Sequence, residues 1–198
     1  LMDHDSVPAT DMVKQLCDAA LRLAARGMRV AAVGPRYLDE RQNNPPPFIR
    51  VRRLRLERVP CTGHDSVVEV DYPIASGSLI PCATFEAVGN MQENFFIDYV
   101  DIEWGLRARE LGYSSWGVCA ARMAHSLGET PIRFMGRSLP NHSALRHYYH
   151  FRNAVWLYLR GSVPLSWKVV DAYRLVLRFF FYGCFARPTA DHLLSMTR

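Results

Sequence analysis

The chain has 198 residues, 49% hydrophobic and 22% charged, an ordinary globular profile with enough apolar material for one main packed domain. Its 24 basic residues outnumber 19 acidic ones, giving a net charge of +5, and all but Lys14 and Lys168 are arginine, whose forks suit phosphate groups and surface ion pairs equally. No run of 18 apolar residues is free of charge and no signal peptide precedes the first element, while five scattered cysteines without metal-ligand spacing are expected to be reduced, mostly buried thiols of a cytosolic setting.

Residues 1–8 place Asp3 and Asp5 at i and i+2, so in extended backbone both carboxylates face one way. That arrangement suits a hard divalent cation holding a diphosphate, and it equally suits an ordinary solvated turn. Residues 7–26 carry Val13, Leu16, Cys17, Ala20 and Leu23 at helical spacing, with Ser6 as N-cap and Gly27 after the end. Residues 29–34 read as a short buried strand, and the three prolines of residues 41–47 make a loop.

Residues 48–59 read as an exposed strand or hairpin edge studded with Arg50, Arg52, Arg53, Arg55 and Arg58. Nucleic acid is excluded as a partner because no aromatic platform is interleaved, and alternating arginine commonly guards a sheet edge. A solvated face is the default, and a face toward anionic lipid or a lipid-linked diphosphate is the functional alternative. Residues 67–70 form a central-type strand, followed by the small-residue segment 74–80 and a short helix opened by Pro81.

The densest chemistry lies in residues 95–107, where Asp98, Asp101 and Glu103 crowd the start of a helix that ends at Gly112. Capping and support of the first turn explain one or two of these acids. An aspartate at a loop-to-helix junction walled by Phe95, Phe96, Tyr99 and Trp104 also meets the needs of a general base, and both readings stand.

Residues 114–118 and 122–124 are strand-like and precede His125, a position more often structural than ligating. Residues 141–159 are helical, with Arg146 and Arg152 either reaching a diphosphate or stacking on aromatic neighbours. Residues 169–185 form a strongly apolar helix with Asp171, Arg174 and Arg178 on one stripe, which fits either an interfacial helix with its arginines toward headgroups or a helix packed on the domain. Residues 191–198 stop in mid-helix pattern.

Several of these segments occur in a specific order: the Asp-x-Asp of residues 1–8, Ser76-Gly77-Ser78-Leu79-Ile80-Pro81, residues 85–89, residues 96–112, residues 121–128 and residues 142–153. In that order the chain resembles the family 2 inverting glycosyltransferases, and most their bacterial rhamnosyltransferase branch. The resemblance implies an α/β fold, part of a GT-A (Rossmann-like) domain over residues 1–140, with amphipathic helices over 141–198 that can contact a membrane.

It also implies roles. Asp3 and Asp5 would serve the Mg²⁺ or Mn²⁺ and diphosphate of a nucleotide-sugar, dTDP-rhamnose by resemblance to the branch, with His125 as a further metal ligand. Asp101 would be the base that deprotonates the acceptor hydroxyl. Ser76, Gly77, Ser78, Asp98, Glu103, Trp104, Arg107, Arg146 and Arg152 would line the donor and acceptor sides. Where the family usually has an acid pair before the base, this chain has Val100, with Asp98 two residues earlier.

The implied activity is transfer of a sugar with inversion to a lipid-linked or polysaccharide acceptor at the inner face of the cytoplasmic membrane. Another hexose donor, or a truncated non-catalytic binding remnant, are the alternatives. A GT-A domain normally opens with nucleotide-binding units before its Asp-x-Asp, so these 198 residues are expected to be an inactive fragment.

Overall fold

The computed structural model describes residues 1–38, 48–125, 132–134, 137–139, 142–161, 163–185 and 189–197. In chain order the elements are β1 (Ser6–Pro8), α1 (Met12–Ala25), β2 (Val30–Leu38), β3 (Phe48–Arg52), β4 (Arg55–Val59), β5 (Val67–Val70), α2 (Cys82–Val88), α3 (Val100–Glu110), β6 (Ser114–His125), β7 (Ile132–Phe134), β8 (Arg137–Leu139), α4 (Ala144–Arg160), α5 (Leu165–Phe185) and α6 (Thr189–Thr197). A 3-10 turn at Glu93–Phe95 precedes α3. The expected α/β class holds. The loop expected at 41–47 and the boundary expected at 140 lie outside the described residues.

β6 organises the sheet. β2 runs parallel to it along nearly its whole length, while β5 and then β1 pair with it antiparallel, at residues 115–118 and 123–125 respectively. The two strand-like stretches expected at 114–118 and 122–124 are therefore one continuous strand. Central strands buried on both faces need no polar alternation, and Ala31, Ala32, Val33, Val118 and Ala121 are all buried.

α1 presents Met12, Leu16, Ala19 and Leu23, spaced by four, three and four residues, to this sheet, where they join Val30, Val33, Val118 and Met123 in one apolar cluster. The helix starts five residues later than its apolar spacing suggested. Ser6 does not cap it, because Ser6 is taken by β1, and its hydroxyl lies 2.7 Å from that of Ser76. The β1–β6 ladder joins positions more than a hundred residues apart along the chain, which no local pattern announces.

β3 and β4 form the expected hairpin, with Arg50 paired across the ladder to Glu57 at 2.8 Å and Arg52, Arg53, Arg55 and Arg58 exposed. The expectation of five reduced cysteines is corrected: Cys61 and Cys119 form a disulfide, brought together where Cys119 N–H donates to the Ser66 carbonyl.

The C-terminal helices share a core with the start of α3. Phe95, Tyr99 and Leu106 pack with Phe151, Ala154, Leu157, Trp167, Leu175, Tyr182 and Met196. The charged stripe of α5 turns inward rather than toward any headgroup layer. Asp171 is buried and accepts hydrogen bonds from the Tyr99 and Tyr158 hydroxyls, each at 2.7 Å, while Arg178 lies 2.5 Å from the His150 ring. A buried carboxylate needs such donors. The exposed face carries Leu165, Val169, Tyr173, Val176, Leu177 and Phe180 instead.

Candidate active site

One cavity of about 690 Å³ opens over α1 and α2 and is mainly apolar, walled by Met12, Leu16, Leu79 and Phe85 among others. A second, of about 680 Å³, gathers the acids. Asp3, His4 and Asp5 come from the segment before β1, Ala75 and Ser76 from the turn after β5, Phe96 and Asp98 from the loop before α3, Asp101 from its first turn, and Arg146 from α4. Four carboxylates from two segments almost a hundred residues apart therefore face one space.

The early acids are held by backbone. Asp3 N–H donates to the Ser76 hydroxyl at 3.1 Å, Ser6 N–H to the Asp3 carbonyl, and Gly77 N–H to the Leu1 carbonyl. Gly77 has φ of +77°, and a Cβ there would stand 2.6 Å from Pro35 and 2.8 Å from the Met123 sulfur, so only glycine fits this close approach. Ser76 thus reaches the acid-lined cavity. Gly77 and Ser78 instead line the apolar one, and Ser78 bonds back to the Ala75 carbonyl.

The backbone of His125 lies directly opposite Ser6 in the β1–β6 ladder, so the chain passes one residue from Asp5 at that point. Among the described residues no group of three metal-ligating side chains converges.

Asp101 sits in the first turn of α3 but does not cap it in the usual way. The N-cap position is Tyr99, left-handed at φ +64°, and no side chain caps the helix. Asp101 accepts instead from Ala75 N–H at 3.1 Å and Ile102 N–H at 2.9 Å, which tie helix, turn and carboxylate together. Burial pushes its carboxyl above the ordinary range, and these two N–H donors pull the other way.

Asp98 sits in a different environment. Arg146 grips it with two nitrogens, Nε to Oδ2 at 3.1 Å and Nη2 to Oδ1 at 3.0 Å, and His150 Nδ1 stands 3.8 Å away. Burial alone would raise this carboxyl, but the His150 and Arg146 contacts more than offset it and hold the group well below the usual carboxylate range. The same loop thus holds one carboxyl well below the ordinary range and the other above it.

The loop that presents both is strained. Phe96, Asp98 and Tyr99 all have φ between +60° and +64°, costly for aromatic residues. Asn153, fully buried on α4, holds it: its amide lies 2.9, 2.8 and 2.9 Å from the carbonyls of Phe95, Ile97 and Asp98. Sequence reasoning gave Asn153 no role of its own. The available signal was an asparagine, a poor helix former, among Phe151, Ala154 and Leu157 on an apolar helix face.

Besides Gly77 and Ser78, four more of the expected site residues lie away from the acid-lined cavity. Glu103 is buried in a bidentate pair with Arg107, at 2.8 and 3.1 Å, and Arg107 also donates to the carbonyls of Val88 and Asn90. Trp104 is buried, stacks near Phe85 and donates to the Gly89 carbonyl at 2.8 Å. All three lock α3 onto the end of α2. Arg152 stacks over Tyr149 at 4.9 Å and donates to the Asn94 carbonyl and to Asn153, matching the aromatic-stacked alternative.

No protein-family model matches the chain. Over 164 residues, 82% of its length, it is 30% identical to the dTDP-rhamnosyl transferase RfbF of Shigella flexneri, and it spans 54%, about half, of that relative. A crystal structure of GalNAc-T7 with UDP, GalNAc and Mn²⁺ overlaps 78% of this chain and 30% of that one, at 14% identity and a TM-score of 0.48. Over four fifths of its length the chain is thus similar to about half of a protein named as a dTDP-rhamnosyl transferase, in keeping with the glycosyltransferase family that its motifs resemble.

Proposed function

We propose that the whole protein transfers a sugar, rhamnose, from a nucleoside-diphosphate donor of the dTDP type to a hydroxyl of a cell-surface glycan intermediate, with inversion at the anomeric carbon. The observation that carries this is the single cavity shared by Asp3, Asp5 and Asp101. Inversion needs the attacking hydroxyl and the departing diphosphate on opposite faces of the sugar, hence a base and an anion-holding group across one space. Kinship to a protein named as a dTDP-rhamnosyl transferase supports the choice of donor.

Asp101 is the base. Its raised affinity for a proton suits a group that must accept one as the new bond forms, and its two backbone bonds fix where it does so. Asp98, held as an anion by Arg146, orients the acceptor beside it. Asp3 and Asp5 are both exposed at the cavity, oxygen donors of the type that Mg²⁺ or Mn²⁺ prefers, and with His125 they would hold such an ion. When bound, the ion supplies positive charge against the diphosphate.

The exposed apolar face of α5 supports a peripheral seat on a lipid surface, where a lipid-linked acceptor would be found. No helix among the described residues is long and apolar enough to cross a membrane. We place the site at the inner face of the cytoplasmic membrane. The Cys61–Cys119 disulfide runs against a reducing compartment, and alkylation of protein trapped from intact cells tests it: two protected cysteines would move the site elsewhere.

The deciding experiment is turnover by the full-length protein with a panel of nucleotide-sugars, beside Asp101→Asn. Wild type should favour dTDP-rhamnose, and the variant should fold yet lose about 10²- to 10⁴-fold in kcat. Preference for another hexose donor overturns the rhamnose assignment alone. Absence of transfer with every donor leaves a non-catalytic binding protein.

A further inference from the structure

Asp98 has a second side. Behind it, between α4 and α5, lies a separate cavity of about 400 Å³, walled by His142, His147, His150, Phe181 and Tyr182 as well as Asp98 itself. Leu177 and Arg178 complete it. Asp98 is in the wall of both this space and the acid-lined one, and Arg146, its partner, lines the latter. The Asp98–Arg146 pair is therefore the partition between them.

The chemistry of this wall selects against charge. It holds one carboxylate and one guanidinium, linked through the His150 ring, whose two nitrogens lie 3.8 Å from Asp98 and 2.5 Å from Arg178. Burial favours the uncharged forms of His142 and His147. Both charged groups are already engaged, Asp98 by Arg146 and Arg178 by the His150 ring.

One polar group is unspent. Nδ1 of His147 faces Nδ1 of His192 at 2.9 Å, so one ring must donate and the other accept, whereas buried Nε2 of His147 has no hydrogen-bond partner among the described residues. If His147 donates through Nδ1, its Nε2 is an acceptor; if His192 donates, that same Nε2 carries the proton. That atom has no exposed surface and stays inside the wall, so the group a ligand hydroxyl meets is the half-buried, uncharged His142 ring, one donor and one acceptor. In the same wall stand the rings of Tyr182, 4.2 Å from the His147 centroid, and Phe181, which suit the apolar face of a sugar ring.

Resting on the transferase reading, we propose that this cavity is an acceptor subsite that receives a neutral glycosyl unit next to the one whose hydroxyl reacts. The acceptor would then lie across the Asp98–Arg146 partition, with one sugar on each side. Phe181, Tyr182 and the histidines supply the recognition, and Asp101 remains the base on the far side.

Saturation-transfer NMR on the full-length protein, with methyl rhamnoside, methyl glucoside and methyl N-acetylglucosaminide as probes, tests this without turnover. At least one glycoside should bind, its signal should fall about tenfold in Leu177→Trp, which fills the cavity from an exposed position, and it should weaken in His142→Ala. Leu159→Trp, exposed outside the wall, should leave the signal as in wild type. Glycoside binding that is absent, or equal in Leu177→Trp and wild type, overturns the subsite. Sugar transfer with every nucleotide-sugar absent while the cavity still binds glycosides sinks the transferase reading and, with it, the assignment as an acceptor subsite.

Discussion

At the level of single residues, two aspartates three positions apart are driven in opposite directions by their surroundings. Burial pushes both carboxyls up, but His150 and Arg146 pull Asp98 well below the ordinary range, while the backbone N–H partners of Asp101 offset its rise only in part. Activity that needs ionised Asp101 should therefore fall as the pH drops through a value above 3.8, the ordinary aspartate figure, and the acid limb of kcat/KM in the full-length protein reads it. A limb at or below that ordinary value removes Asp101 as the base. Asn153 makes a second case. Asn153→Ala leaves up to three carbonyls without their donor in a loop already at positive φ, so stability should drop by about 2–3 kcal/mol in urea titration, with kcat falling alongside. Unchanged urea midpoint and kcat would show that the loop holds its shape unaided.

Elements show where sequence reading ends. The apolar spacing of α1, the proline-opened α2 and the carboxylate-rich start of α3 were all legible, because each is set by residues within a turn or two of one another. Ser6 was misread as a cap because its partner, Ser76, is seventy residues away. Two directions for α5 stood open because its periodicity fixes which residues share a stripe and says nothing about which stripe faces in. Tyrosine hydroxyls around buried Asp171 decide that, and they come from α4 and the residue before α3. The α4–α6 histidine contact carries its own pH signature. His147 is lowered to about 3 and His142 to about 4, chiefly by burial, from an unfolded value of 6.5. Both are neutral in either state above 6.5; below it the unfolded chain takes up protons that the folded chain refuses. Stability should thus be flat above pH 7 and fall steadily from 6.5 toward 4, and His147→Gln should flatten that fall in thermal melts by circular dichroism. A melt temperature constant from pH 7 to 4.5 would mean that these rings titrate normally.

Across the whole molecule, the candidate site was legible as a set of residues but not as a geometry. Asp3, Asp5, Asp98, Asp101, Ser76 and Arg146 face one cavity, while Glu103, Trp104 and Arg107 on α3 and Arg152 on α4 became packing, since successive residues of a helix necessarily point several ways around it. His4 and the α4–α5 cavity drew no notice, because only folding brings α4 against the loop before α3. The exposed face of α5 belongs to this scale too. Leu165, Val169, Tyr173, Val176 and Phe180 recur every three or four residues in open solvent. Full-length protein should therefore float with vesicles of bacterial lipid composition, and Phe180→Glu with Val176→Glu should leave it in the pellet fraction; equal flotation of both would assign that face to another partner.

The Asp98–Arg146 clasp couples the spaces on its two sides. Because a single ion pair forms the common party wall of two chambers, whatever tightens or tilts it on one side is felt on the other, and thermodynamics makes the traffic symmetric. An occupant of the histidine chamber that sharpens the grip of the acidic chamber must itself be held more firmly, by the same factor, once the acidic chamber is filled.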